Sequence, residues 1–252
     1  MLRKKDRSIL KRDVTIPMLF LGMAFALHAA PARAQEPYAI ESATVEASAY
    51  IPQSIVAALN PNGTRLFTHV NGLKMPISEI FWAKNVVTID KPSSSGKILY
   101  GSLKPGALVG VIRFLAEADE DYREDFHDQK LRPGYYTMRY AQMPDEEKQS
   151  DKLPRDFVVL SPVSVDRDPN QALSFEELSR MSRIASRGKQ PAVMSLVSAD
   201  AAPASLPGVR TDDAGTCILQ VKLNTKPEKG GSPQDLALAI IVVTPIQENG
   251  AS

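Results

Sequence analysis

From Thr64 to Val243, short runs that alternate or are apolar throughout recur with a turn signal between most of them. A chain patterned this way must build its core from β-strands, because side chains two apart share a face. Thr64–Val70 alternates and is followed by Asn71-Gly72, the pair best suited to the positive φ angles of a tight hairpin. The partner strand is predicted over about Ile77–Lys84, and Val86–Ile89 either prolongs it or starts another. Residues 91–97, rich in Pro, Ser and Gly, read as a loop.

Two stretches then echo each other. Leu103-Lys104-Pro105-Gly106 opens the run Ala107–Phe114, and Leu131-Arg132-Pro133-Gly134 opens Tyr135–Tyr140. Pro fixes one φ and Gly supplies a positive one, so each tetrad reads as a turn that feeds a strand. The first run is apolar on both faces and is expected to lie centrally. The second places Tyr136, Met138 and Tyr140 on one face and Tyr135, Thr137 and Arg139 on the other. Further strands are predicted over Asp156–Val163, Ala192–Val197, Cys217–Leu223 and Leu236–Val243, roughly eight or nine in all.

The period changes at Ser174-Phe175-Glu176-Glu177, a capping box. Phe175, Leu178, Met181, Ile184 and Ala185 form an apolar stripe, and Gly188 can end it, so one amphipathic helix is predicted over about 174–188. These elements specify a mainly β fold, an antiparallel β-sandwich of residues 60–245 with that helix against an edge or end. Residues 35–59 read as an irregular leader with a short helix over Pro52–Leu59. Residues 198–208 read as a loose segment and 246–252 as a flexible tail.

The amino terminus carries a different signal. Arg3, Lys4, Lys5, Arg7, Lys11 and Arg12 precede Val14–Ala32, which holds no Asp, Glu, Lys or Arg, and Ala32 and Ala34 satisfy the small-x-small rule for cleavage before Gln35. Residues 1–34 are therefore expected to be a cleavable secretory signal. The competing reading is an uncleaved anchor, against which Pro17, Gly22, His28 and the small-residue exit argue. Of 30 Lys+Arg and 29 Asp+Glu, the signal takes seven and two, leaving 23 against 27 and a net of −4. That balance offers no electrostatic footprint for nucleic acid, and no stable membrane insertion is expected after cleavage. Cys217 is the only cysteine, so the exported domain must be held by its core, without an internal disulfide.

Candidate chemistry is sparse. Glu117–Asp128 carries seven carboxylates, of which Asp119, Asp121 and Asp125 could gather oxygen ligands for calcium, but the run lacks the glycine and closing Glu of an EF-hand and, lying between two strands, reads as a solvated hairpin tip. Asp145-Glu146-Glu147 is a weaker case of the same kind. His69 and His127 have no second ligand at local metal spacing. Ser94 and Lys97 match Ser-x-x-Lys only formally, since a loop rather than a helix holds them. Cys217 alternates with Leu219 and Val221 and reads as a small core hydrophobe. Tyr136 and Tyr140 are expected in the core, each with a partner for its hydroxyl, and Tyr135 and Trp82 are left as surface contacts for a sugar or peptide. No catalytic, cofactor or metal set is predicted.

Leu131-Arg132-Pro133-Gly134-Tyr135-Tyr136-Thr137 resembles the L-x-P-G-x-Y strand opening of transthyretin-like and carboxypeptidase-regulatory-like sandwich domains. The wider order, with Asp156–Leu160 and Ser174–Leu178, resembles uncharacterised exported bacterial β-sandwich proteins. The resemblance implies a sandwich and carries no catalytic residue. Together these readings describe an exported module, periplasmic or extracellular, that binds an unidentified protein or small ligand. The alternatives are an exported hydrolase with a site assembled from loop residues, and a calcium-stabilised adhesion-type module. Exported from a bacterial host, the chain is expected to begin at Gln35 by intact mass, and Ala34→Asp to accumulate the unprocessed form.

Overall fold

Asn71 and Gly72 both take positive φ, 51° and 78°, so the turn follows the right-handed twist of the strands it joins. The computed structural model describes residues 36–45, 50–90, 98–115, 123–124, 129–143, 155–186, 190–199 and 205–244. In chain order the first elements are β1 (Tyr38–Thr44), α1 (Gln53–Ala58), β2 (Asn62–Val70), β3 (Leu73–Trp82) and β4 (Val86–Thr88). Then come β5 (Leu108–Phe114), β6 (Arg123–Glu124), β7 (Lys130–Leu131), β8 (Gly134–Gln142) and β9 (Asp156–Pro162). The chain continues with α2 (Phe175–Ser182), β10 (Val193–Val197), β11 (Gly208–Thr211), β12 (Cys217–Pro227) and β13 (Gln234–Val243).

Eleven strands form one sheet in the order β1-β2-β3-β5-β8-β9-β10-β13-β12-β11, with β4 added beside β12, while β6 and β7 pair separately. The turning point is β10. Its residues Val193–Ser195 pair with β9, and Leu196 and Val197 pair with β13. One strand thus serves both layers, as corner strands do in sandwiches. The main core lies between the layers: Ile80, Ile112, Met138, Tyr140 and Leu160 meet Leu219, Val221, Leu223, Leu238 and Ile240.

The central run behaves as its composition demands. β5 lies between β3 and β8 and is buried on both faces. Its outward Leu108 and Val111 pack with Phe81 under Ile55 of α1. On the same outer side, Phe157, Val159 and Val193 are covered by Leu173 and Leu178. Helix α2 therefore lies on the face of the first layer, not against an edge or end as predicted, because β9 is apolar on both faces and its outer face must be dried.

That helix is shorter than its apolar stripe. Ser174 accepts from the Glu177 amide and Glu177 accepts from the Ser174 amide, completing the capping box. At the other end Ser182 Oγ accepts from Ala192 N at 2.8 Å, and Ser186 Oγ bonds the Gln190 carbonyl. These serines serve the lead-in to β10 and compete with continuation of the helix. Ile184, predicted in the stripe, consequently swings out and is 58% exposed.

Other departures have equally local causes. Residues 38–44, read as an irregular leader, form β1, which pairs with β2 from Tyr38 opposite Thr68 to Thr44 opposite Asn62. Its Ala, Glu and Ser have little strand preference of their own, so pairing decides the conformation. β11 arises likewise at the end of the loose segment. Val86–Thr88 is a strand in its own right and runs parallel to Thr225–Pro227, an exception in an otherwise antiparallel sheet.

The two Pro-Gly turns bracket adjacent strands. Gly106 and Gly134 have φ of 82° and 148°, and both leucines that open the tetrads, Leu103 and Leu131, are buried. Because β5 and β8 are antiparallel, the two turns sit at opposite ends of the pair. A Cβ on Gly106 would stand 2.8 Å from the Leu173 carbonyl oxygen, so only glycine fits.

Under the 163–173 loop lies an ion pair that alternation did not reveal. Arg139 Nε and Nη2 donate to Asp166 Oδ2 and Oδ1 at 2.6 and 2.7 Å, and both side chains are buried. Thr137 adds its hydroxyl to Oδ2 at 2.6 Å, and the three remaining guanidinium protons reach the carbonyls of Gly106, Asp168 and Gln171 at 2.8, 2.6 and 3.4 Å. Every strong group is answered, which is the condition for tolerating two buried charges. Asp166→Asn is expected to lower unfolding stability by about 3–5 kcal/mol, since it strands the guanidinium. The double change Arg139→Met with Asp166→Leu should cost less than that single, as read from urea midpoints.

Candidate functional site

The second Pro-Gly turn builds the most suggestive concavity. Leu131 anchors it in the core, and Tyr136 Oη donates to the Arg132 carbonyl at 2.8 Å, tying the turn to the strand it opens. Gly134 supplies a backbone angle that side chains disfavour. Tyr136 is held from behind by Phe114, with ring centroids 5.7 Å apart. Against this turn stand Pro162, at the end of β9, and Ile184 and Ala185, from the unwound end of α2. Together they enclose a half-open cleft of about 320 Å³. Burial raises the Tyr136 phenol, and the positive charge of Arg132 partly offsets that rise.

Tyr135 borders the same cleft on the outer face. The Arg113 guanidinium lies 5.2 Å from its ring centroid, a cation–π contact. Arg113 also donates to Glu79 Oε2 at 3.1 Å, while Arg65 Nε donates to Oε1 at 2.8 Å. Glu79 is thus held between two cations across three strands. A second concavity of about 260 Å³ lies at the other end of β8, between Gln142, Met143, Leu173 and Phe175. Beneath it the buried Asp156 accepts from Leu99 N, Tyr100 N and Tyr140 Oη at 2.6, 3.1 and 2.5 Å. Burial, and then the bond to Asp156, push the Tyr140 phenol far up.

The residues singled out in the sequence do not converge. Tyr136 and Tyr140 fill the core with partnered hydroxyls, as expected. Tyr135 is half-buried at the cleft. Trp82, expected at the surface, is buried in the main core, because β3 continues through it and its alternation with Ile80 turns it inward. Cys217 is fully buried, and burial alone pushes its thiol up to about 12. His69 ends β2 with Nδ1 3.0 Å from the Glu36 carbonyl. A bulge between Leu66 and Phe67 shifts the register of β2 against β3 just before it.

Ala32, Ala34, Gln35, His127, Asp119, Asp121, Asp125, the 145–147 cluster and the Ser94–Lys97 stretch lie outside the described residues. Among the described residues no group of three or more His, Cys, Asp or Glu is placed to hold a metal ion. No described helix is long and apolar enough to cross a membrane. Comparison with protein-family models, with curated proteins and with solved structures returned no match.

Two residues of the cleft escaped the sequence. Ile184 was hidden by its fit to a helical stripe, although Ser182 and Ser186 near the carboxyl end were a signal that the helix would stop. Arg132 was hidden as the variable position of its tetrad.

The thiol yields a direct test. An unfolded cysteine ionises near the ordinary thiol value of 9.0, and burial pushes the folded one up to about 12. The unfolded state therefore loses its proton first, and folding stability should fall as pH rises through this window. Cys217→Val should soften that alkaline loss, and a thiol reagent at pH 8 should label the wild type only in denaturant.

Proposed function

We propose that this chain is an exported β-sandwich module that binds a protein or small ligand and does not transform it. The observation that carries the reading is how the described buried ionisable groups are used. Arg139 and Asp166 saturate each other, Asp156 is filled by two amides and a phenol, Glu79 is held by two arginines, and Cys217 is far from ionising at neutral pH. General acid–base or nucleophilic work needs a group poised near its pKa beside open space. Among the described residues the open space is lined chiefly by apolar and aromatic side chains, with Arg132 in one concavity and Gln142 in the other as the polar groups, and neither is an acid–base or nucleophilic group.

Export rests on residues 1–34, whose basic head, apolar middle and Ala32-x-Ala34 exit form a secretory signal. The destination is the periplasm or the medium. The likeness of Leu131–Thr137 to transthyretin-like strand openings supports a sandwich used for contact, and the cleft is built on that same motif.

The processed protein, offered a panel of ester, peptide and glycoside substrates, is expected to show no turnover above buffer. Turnover that co-purifies with the protein and falls with its thermal unfolding would contradict the proposal.

A further inference from the structure

The cleft at the second Pro-Gly turn has a chemical bias. Pro133, Pro162 and Ala185 give it an apolar wall, and Ile184 stands beside them 58% exposed, an aliphatic side chain set at the lip of a concavity. Arg132 lines the same space and is exposed. Arg65 and Arg113 share Glu79, and Arg139 is spent on Asp166. Among the described residues, by contrast, no carboxylate pairs with the Arg132 guanidinium. Its charge is felt within the cleft, for it is the group that offsets the burial of the Tyr136 phenol.

A cation at one end of an apolar recess selects a ligand with an anion at one end of an apolar body. The guanidinium fork matches a carboxylate, with two parallel N–H donors facing two oxygens. At about 320 Å³ the space falls at the small end of the range for small-molecule sites. A protein partner would need roughly 800 Å² of its own surface in contact, far more than one recess supplies. We propose that this cleft binds a small apolar monocarboxylate, its carboxylate on Arg132 and its hydrocarbon against Ile184 and Pro162. The inference rests on the binding-module reading and names the ligand class.

The test titrates the exported protein with hexanoate and 3-phenylpropionate, and in parallel with 1-hexanol and 3-phenylpropan-1-ol, by saturation-transfer NMR. The acids are expected to bind about tenfold more tightly than the alcohols, the usual margin for a charge-assisted hydrogen bond. Arg132→Gln should erase that margin, Arg132→Lys should retain part of it, and Ile184→Asp should weaken acids and alcohols alike. Arg132 and Ile184 are exposed, so these variants should melt as the wild type does. Equal binding of acids and alcohols, or a margin that survives Arg132→Gln, would overturn the carboxylate assignment while leaving a binding module. Failure of all four to bind at millimolar concentration would overturn the small-ligand inference.

Discussion

Three adjacent strands, β5, β8 and β9, bury side chains on both faces, and most of the structure follows from that. A sheet with one dry face needs one partner layer, whereas a sheet dry on both faces needs two. The chain supplies one by turning through β10 into β13, β12 and β11. It supplies the other with pieces: α1 over β3 and β5, and α2 with the 163–173 loop over β8 and β9. The loop is the least regular of these covers, and the Arg139–Asp166 pair fastens it to the sheet. Placing that pair on the outer side, near a loop rich in carbonyls, lets backbone oxygens answer the guanidinium that the apolar core could not.

The same economy explains what could be read in advance. Runs with strong strand character announced themselves: the Asn71-Gly72 hairpin, β5, β8, β9, β12 and β13 all stand where alternation and turn residues put them. So did the capping box at Ser174. What escaped was conformation decided by contact. β1 mixes Tyr38, Ile40 and Thr44 with two Ala, a Glu and a Ser that have little strand preference, and the hydrogen bonds that β2 offers decide its conformation. The end of α2 is decided by two serines that find partners in Gln190 and Ala192. Trp82 is inside because it lies two residues from Ile80 in β3 and shares its inward face. Alternation placed Arg139 on the face opposite Tyr136, Met138 and Tyr140 but did not show its partner Asp166, 27 positions away.

The candidate cleft was only half legible for related reasons. Its Tyr135 and its Pro-Gly turn are local features, and the sequence displays them. Its lip is a residue expelled from a helix, and its charge sits at a position that the turn motif leaves open. Both properties exist only once β8, β9 and the end of α2 have met. Binding surfaces assembled at such junctions carry no motif, which suits a chain whose described ionisable interior is committed to holding the fold.

The two-sided burial of the first layer is most directly tested by native-state hydrogen exchange. Amides of β5, β8 and β9 should exchange only through global unfolding, with those of β1 and β11 opening at much lower cost. Comparable, shallow protection across all strands, or deepest protection in β12 and β13 with β8 exchanging freely, would contradict the account.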